Sequence, residues 1–168
     1  MKGSRALVVV FVLTGTLVTA TSIPADSATA TIAVSATVRR NCTITTSPLA
    51  FGSYDPVVAN ATTPLDATAA VTIACTMGTP ATIGLGAGSN ALVSQRRLAN
   101  GANAHVNYQV FLDSAHATVW GNDAANRLDA GTAPSKEPRA YPVYGRIPAG
   151  QDVPIGPFSD SVVATVNF

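Results

Sequence analysis

Hydrophobic and polar residues alternate in short runs along most of this chain, which is the pattern of half-buried β-strands. The clearest run, HVNYQVFLD at residues 105–113, places Val106, Tyr108 and Val110 on one face. Clusters of glycine, proline, asparagine and aspartate separate the runs, and no window of a dozen residues has helical periodicity. The pattern predicts about seven strands in an all-β chain, arranged as a single immunoglobulin-like sandwich.

The other predicted strands lie on both sides of this run, and two polar stretches are predicted to connect strands. These connections are residues 94–103, with Asn100-Gly101 as the turn signal, and the loop 122–139. Pro142 predicts an edge position or a kink for its strand, because proline has no backbone donor. The remaining predicted strands are residues 31–40, the start of 42–56, and residues 67–75, 81–88, 140–150 and 158–168.

The first 30 residues are typical of a secretory signal peptide. Lys2 and Arg5 precede the apolar run of residues 6–13, and small residues place the cleavage site after Ala30 or after Ala20. The alternative is a membrane anchor, but the run is short and broken by threonine and glycine. We therefore expect a signal peptide over 1–30, an N-terminal strand over 31–40 and one domain over 41–168.

Charged residues make up 11% of the chain, and the formal net charge is +1. Removal of residues 1–30 takes away two basic residues and one acidic residue and leaves eight of each. No basic patch or amphipathic basic helix favours a nucleic acid or a charged membrane surface as partner. This low share of charged residues is consistent with a protein that packs into an assembly.

The two cysteines, Cys42 and Cys75, are predicted to form a disulfide, since an even count is typical of exported proteins. A bridge over this spacing contributes about 3–4 kcal/mol in the chain-entropy model. A metal site and a redox pair are the alternatives. The absence of a CxxC motif and a total of two histidines argue against both.

Motifs for catalysis are missing from the sequence. No GxSxG elbow or close pair of acids is present, and the glycines at 84, 86 and 88 lack the lysine of a phosphate-binding loop. Trp120 is a candidate sugar-stacking residue, but closure of the sandwich core is the favoured interpretation. The asparagines of two glycosylation sequons, Asn41 and Asn60, fit a pattern that is common by chance. We expect no catalytic residue, cofactor, metal or small-molecule substrate.

The two ends of the chain suggest that a strand of one molecule could pair with a strand of another. No strand follows the terminal run 158–168, so one of its edges needs a cover. Residues 31–40 form a surplus alternating strand that fits this role in a neighbouring copy, by β-strand addition. The pattern leaves pairing within one chain equally open. The donor side chains are Ile32, Val34, Ala36 and Val38, and the groove-bordering side chains are Val162, Ala164, Val166 and Phe168.

Several blocks of this sequence resemble the spore coat protein U domain family, which includes the subunits of archaic, Csu-type chaperone–usher pili. The blocks are the Cys42–Cys75 pair, FGSYDP (51–56), YQVFLDSAHATVWGND (108–123), YPVYGRIPAGQ (141–151) and FSDSVVATVNF (158–168). The resemblance implies an incomplete immunoglobulin-like sandwich that lacks its last strand. It also implies a periplasmic chaperone that lends a strand, release through an outer-membrane usher, and surface fibres for attachment and biofilm formation. Some members are spore coat components.

Carried over by position, the resemblance implies that Cys42 and Cys75 form the family disulfide. It implies that residues 31–40 are the donor segment and that Val162, Ala164, Val166 and Phe168 border the acceptor groove. Pro157 and the charged loop 131–139 depart from the family pattern. The predicted function is a secreted structural subunit of a pilus or spore coat that polymerises head to tail. The alternative is a cell-surface adhesin or carbohydrate-binding module, and a secreted hydrolase has the weakest support.

Overall fold

The computed structural model describes residues 25–168. Most of the predicted signal peptide falls on residues 1–24 and so lies outside the described residues. Residues 37–168 form one unit, and residues 25–36 belong to another. Within residues 25–168, no helix is long and apolar enough to cross a membrane.

Eight strands form two antiparallel sheets, and residues 25–168 contain no helix, so the predicted all-β immunoglobulin-like sandwich is confirmed. The five-stranded sheet has the order β1-β2-β7-β5-β4, and the three-stranded sheet has the order β6-β3-β8. The strands are β1 (Cys42–Thr46), β2 (Leu65–Cys75), β3 (Pro80–Leu85), β4 (Arg96–Ala99), β5 (His105–Phe111), β6 (Leu128–Thr132), β7 (Arg139–Ile147) and β8 (Ala164–Asn167).

The core lies between the sheets and consists of the faces that alternation predicts. Val71, Ile73 and Cys75 of β2 are buried against the buried faces of β3 and β5. Trp120 is fully buried, and its Nε1–H donates to the carbonyl oxygen of Ile83 at 2.9 Å. The interpretation of Trp120 as a core residue is therefore confirmed, and its ring is not available for stacking on a sugar.

Two strands occur where the sequence predicted connections. β4 lies within the stretch 94–103, and β6 lies within 122–139, so both loop predictions were wrong in part. Their polar side chains do not show the alternation that predicts a strand. Arg96 begins β4, yet its guanidinium is buried and hydrogen-bonded to backbone carbonyls. Gly131 in β6 has φ +63°, at an irregularity in its pairing with β3, and glycine weakens a strand signal.

β7 is an interior strand between β2 and β5, so the edge position predicted from Pro142 was wrong for the strand as a whole. Its pairing with β5 covers only the positions from Tyr144 to Arg146, however. Pro142 pairs with Ala70 of β2 and lies beyond this short ladder with β5. At Pro142, β7 is therefore paired on one side only, with β2. The missing N–H of the proline removes no hydrogen bond to β5.

Candidate functional site

β8 forms an edge of the three-stranded sheet. It pairs with β3 from Leu85↔Ala164 to Thr82↔Asn167, and among residues 25–168 no strand is hydrogen-bonded to its other edge. Backbone bonds also fix the residues before β8: the Gly86 N–H donates to the Val163 carbonyl at 2.9 Å. An edge strand held rigidly on one side and unpaired on the other is a template for a further strand.

An apolar cavity of about 180 Å³ lies beside β8, between the two sheets. A second cavity of about 700 Å³ adjoins it and shares the lining residues Leu49, Phe51, Leu98 and Asp160. We call the two cavities together the groove. Its walls are residues 46–56 on one side and 153–164 on the other. Its remaining lining comes from β2, β3, β4, β5 and β7, through Ala69, Ala70, Val71, Leu85, Leu98, Val106, Tyr108, Val110, Val143 and Ile147.

The first wall depends on a glycine in β7. A Cβ atom added at Gly145 would lie 2.7 Å from Leu49 Cδ2 and 2.9 Å from Phe51 Cζ. Phe51 also packs edge-on against Tyr108, with the ring centroids 6.0 Å apart. Gly145 therefore lets the segment after β1 lie close to the sheet. Sequence reasoning missed this wall, although the apolar Leu49-Ala50-Phe51 before the turn was a usable signal.

Hydrogen bonds anchor the far end of this wall. The Tyr54 hydroxyl donates to the Pro148 carbonyl at 2.9 Å and accepts the Gln151 N–H at 3.0 Å. The Asp55 carboxylate accepts the N–H groups of Val57 and Val58, and these bonds hold its pKa below the ordinary value. The loops at 54–60 and 148–151 are thereby fixed to each other.

Asn60, the first residue of the second glycosylation sequon, is buried at this anchor. Its Nδ2 donates to the Thr63 carbonyl at 3.1 Å, and its Oδ1 accepts the Asp55 N–H at 3.0 Å. The amide nitrogen that would bear a glycan is therefore enclosed in the folded protein.

The groove contains one carboxylate, that of Asp160, within its mainly apolar lining. It accepts the Tyr108 hydroxyl at 2.8 Å and the Asn90 Nδ2 at 3.0 Å. Burial, together with the bond to Asp160, raises the pKa of Tyr108. The tyrosine stays neutral and serves as a hydrogen-bond donor.

Arg96 ties the two sheets together at β4, the edge strand opposite β1. It is 2% exposed, and Nη2 donates to the carbonyls of Leu85 and Trp120, each at 2.9 Å. Nε donates to the Gly86 carbonyl at 2.9 Å, and Nη1 donates to Gln109 Oε1. Burial lowers the pKa of the guanidinium, with Tyr108 and Asp160 acting in the opposite direction. The sandwich is thus tied at β4, next to Leu85, Tyr108 and Asp160 of the groove lining.

Three of the four predicted groove-bordering residues pack against the core. Val162, Ala164 and Val166 are half-buried, and the first two line the smaller cavity. Phe168 follows β8 and is 52% exposed. Its contribution to the groove wall stays a prediction.

The predicted donor residues are in no strand. Ile32, Val34 and Val38 are 83%, 89% and 83% exposed, and Ala36 is exposed as well. Residues 31–40 therefore leave their apolar side chains uncovered, and their role as a donor segment stays a prediction.

Cys42 and Cys75 are joined by a disulfide and lie opposite each other in the β1–β2 ladder. The bridge fixes the start of β1 to the end of β2. Since β1 leads directly into the groove wall at residues 46–56, the disulfide supports one border of the groove.

Other clusters of titratable side chains lie outside the groove. Asp66 accepts two bonds of 2.7 Å from Arg146, which lower the pKa of Asp66 and raise that of Arg146. His116 Nε2 lies 3.8 Å from the Asp66 carboxylate. In the part of the chain described, no group of three histidine, cysteine or acidic residues is placed to hold a metal ion.

Residues 28–165 match the family described as Spore Coat Protein U domain. The chain is 37% identical over 161 residues to Protein U of Myxococcus xanthus, and the match covers 86% of this chain and 88% of that protein. It is also similar to a chain in the crystal structure of the CsuC–CsuE chaperone–tip adhesion subunit pre-assembly complex, from archaic chaperone–usher Csu pili of Acinetobacter baumannii. That likeness has a TM-score of 0.58 and 21% identity, and covers 79% of this chain but only 41% of that one.

At that identity, the likeness to the solved structure supports the sandwich fold alone. The family match over most of the chain, together with the relative of similar length, establishes the family. The chain belongs to the spore coat protein U domain family, as its sequence blocks predicted.

Proposed function

We propose that this protein is a secreted structural subunit of a surface fibre or spore coat. Subunits polymerise by donor-strand complementation, in which residues 31–40 of one copy fill the groove of the next. The observation that supports this function is the apolar groove beside the unpaired edge of β8, combined with an exposed apolar segment outside every strand.

The predicted donor segment is about as long as the longest strand of the sandwich. Ten extended residues span about 33 Å, close to the length of the 11-residue β2, which runs along the sandwich. In an extended segment, Ile32, Val34 and Val38 point to the same side, toward the core. Burial of each contributes about 1.5–3 kcal/mol, and backbone bonds to the free edge of β8 add to this.

The uncovered groove also gives a reason why a subunit needs partner proteins before it assembles. An exposed apolar surface beside an open strand edge promotes aggregation, so a subunit in transit needs a temporary cover. We propose a periplasmic chaperone for this role and an outer-membrane usher for release to the cell surface. The chaperone–subunit complex named for the similar solved structure supports the first partner. The function requires no catalysis, cofactor, metal, nucleic acid or small-molecule substrate.

A self-complemented variant tests the proposal. Residues 31–40 are removed from the N-terminal side and attached after Phe168 through a flexible linker. We expect a monomer whose thermal midpoint is at least about 10 °C above that of the variant with the segment deleted. The matched control has the same attached segment with Ile32→Asp and Val34→Asp. Equal midpoints for the three forms would show that the groove does not accept this segment.

A further inference from the structure

One end of the sandwich is acidic. At this end β2 begins and β7 ends, as the pair Leu65↔Ile147 shows, and the bond from Tyr54 to Pro148 brings the neighbouring loops together. The exposed carboxylates of Asp55 and Asp152 lie in these loops, next to residues that line the groove. The nearby Asp66 is paired with Arg146. We call this end, with Asp55 and Asp152, the acidic pole.

The opposite end is basic. It is the end at which the disulfide joins β1 to β2 and at which β7 begins with Arg139. Arg39 and Arg40 immediately precede β1, and Thr76 Oγ1 donates to the Arg39 carbonyl at 3.2 Å. Lys136 lies in the loop before β7, next to Glu137. We call this end the basic pole; its members are Arg39, Arg40, Lys136 and Arg139.

Strand direction relates the two poles to the donor segment. β3 begins near the basic pole, after the short turn that follows β2, and β8 is antiparallel to β3. β8 therefore runs from the acidic pole toward the basic pole. A donor segment antiparallel to β8 ends at the acidic pole of the acceptor. Its last residues, Arg39 and Arg40, then lie beside Asp55 and Asp152. A parallel segment would end at the basic pole, among like charges.

The geometry points to a charged subunit junction, in which Arg39 and Arg40 of one copy contact the acidic pole of a second copy. This inference rests on the proposed donor-strand function. The contact joins different surfaces of the two copies, so it repeats head to tail along a fibre. Exposed ion pairs add little to affinity, but complementary poles accelerate association and disfavour the reversed orientation.

Charge reversal in the full-length chain tests the junction. The variants are Asp152→Lys, Arg40→Glu and the two combined; both residues are exposed. Assembly is started by dilution from denaturant with the disulfide intact and is followed by light scattering. We expect each single variant to assemble about 10-fold more slowly at low salt, and the double variant to regain most of the rate. The difference should vanish at about 0.5 M salt.

Asp123→Lys is the matched control, because Asp123 lies in an exposed loop held beside Leu85, level with the middle of β2. We expect its assembly rate to equal that of the wild type. Equal rates for all variants, with multimers that still shield residues 31–40, would overturn the junction and leave the proposed function standing. Failure of the wild-type chain to form any multimer would overturn the proposed function and the junction together.

Discussion

At the scale of single residues, Arg96 shows how a charged side chain can belong to a core. A buried guanidinium is normally paired with a carboxylate, yet this one is hydrogen-bonded to three backbone carbonyls and to Gln109. These carbonyls are at the end of β3 and at Trp120, where no β-ladder satisfies them. Arg96 thus supplies donors that the sheets cannot, and it does so beside Leu85, which lines the groove.

We expect Arg96→Lys to lower the free energy of unfolding by about 2–4 kcal/mol, because an ammonium cannot reach all of these acceptors and leaves buried carbonyls unpaired. Arg97→Lys is the matched control. Arg97 donates a single Nε–H to the Asn90 carbonyl at 2.9 Å and is only half-buried, so a loss below about 1 kcal/mol is expected. Urea unfolding measures both. Similar losses for the two variants would contradict the role assigned to Arg96.

At the scale of elements, the groove wall depends on contact between a segment without strand structure and a strand. Leu49 and Phe51 pack over Gly145 of β7, and the disulfide fixes β1, from which this segment continues. Beyond Ser47, the wall is therefore held by packing over a position without a side chain and by the Tyr54 hydrogen bonds at its far end, rather than by a β-ladder. This arrangement leaves the edge of β8 open toward the groove.

Gly145→Ala should push Leu49 and Phe51 away from β7, because both contacts would be shorter than 3.0 Å. We expect a loss of about 1–3 kcal/mol in urea unfolding. Gly86→Ala is the matched control, since its added Cβ would lie 3.5 Å from the Val163 carbonyl oxygen, an ordinary contact. Its effect should stay within about 0.5 kcal/mol. If Gly86→Ala were the more damaging change, the packing explanation of the wall would be wrong.

At the scale of the whole molecule, the proposed function requires two states of the same segment, exposed in a free subunit and covered in an assembly. Val38 is 83% exposed next to Arg39 and Arg40, so this site is open to a protease in the state described. Assembly would convert the same residues into part of a paired strand. Protection of this site therefore reports donor-strand exchange directly.

Limited trypsin digestion should cut free subunits rapidly after Arg39 or Arg40, and assembled multimers at least about 10-fold more slowly, because pairing closes the local opening that proteases need. Arg127, in the loop before β6 and away from the groove, is the internal control and should be cut at similar rates in both states. Mass spectrometry identifies the fragments. Unchanged cleavage after Arg39 and Arg40 in multimers would be incompatible with exchange of residues 31–40.

The fold class and most of the core could be predicted from the sequence alone, because strand alternation is a local pattern. Val71, Ile73, Val106 and Val110 are buried where alternation placed them, and two cysteines in a chain with a predicted signal peptide predicted the bridge. Each of these features can be predicted from the sequence within one run, or from the number of cysteines. They were predictable without knowing which strand pairs with which.

Which polar segments join the sheets, and which residues form the groove, became clear only from the folded structure. β4 owes its place to the bonds from Arg96 to the carbonyls of Leu85 and Trp120, and β6 to its ladder with β3 from Pro80 to Ile83. The wall at residues 46–56 exists because Gly145, far along the chain, leaves room for Leu49 and Phe51. Such contacts are set by packing between distant residues, and no local periodicity in the sequence records them.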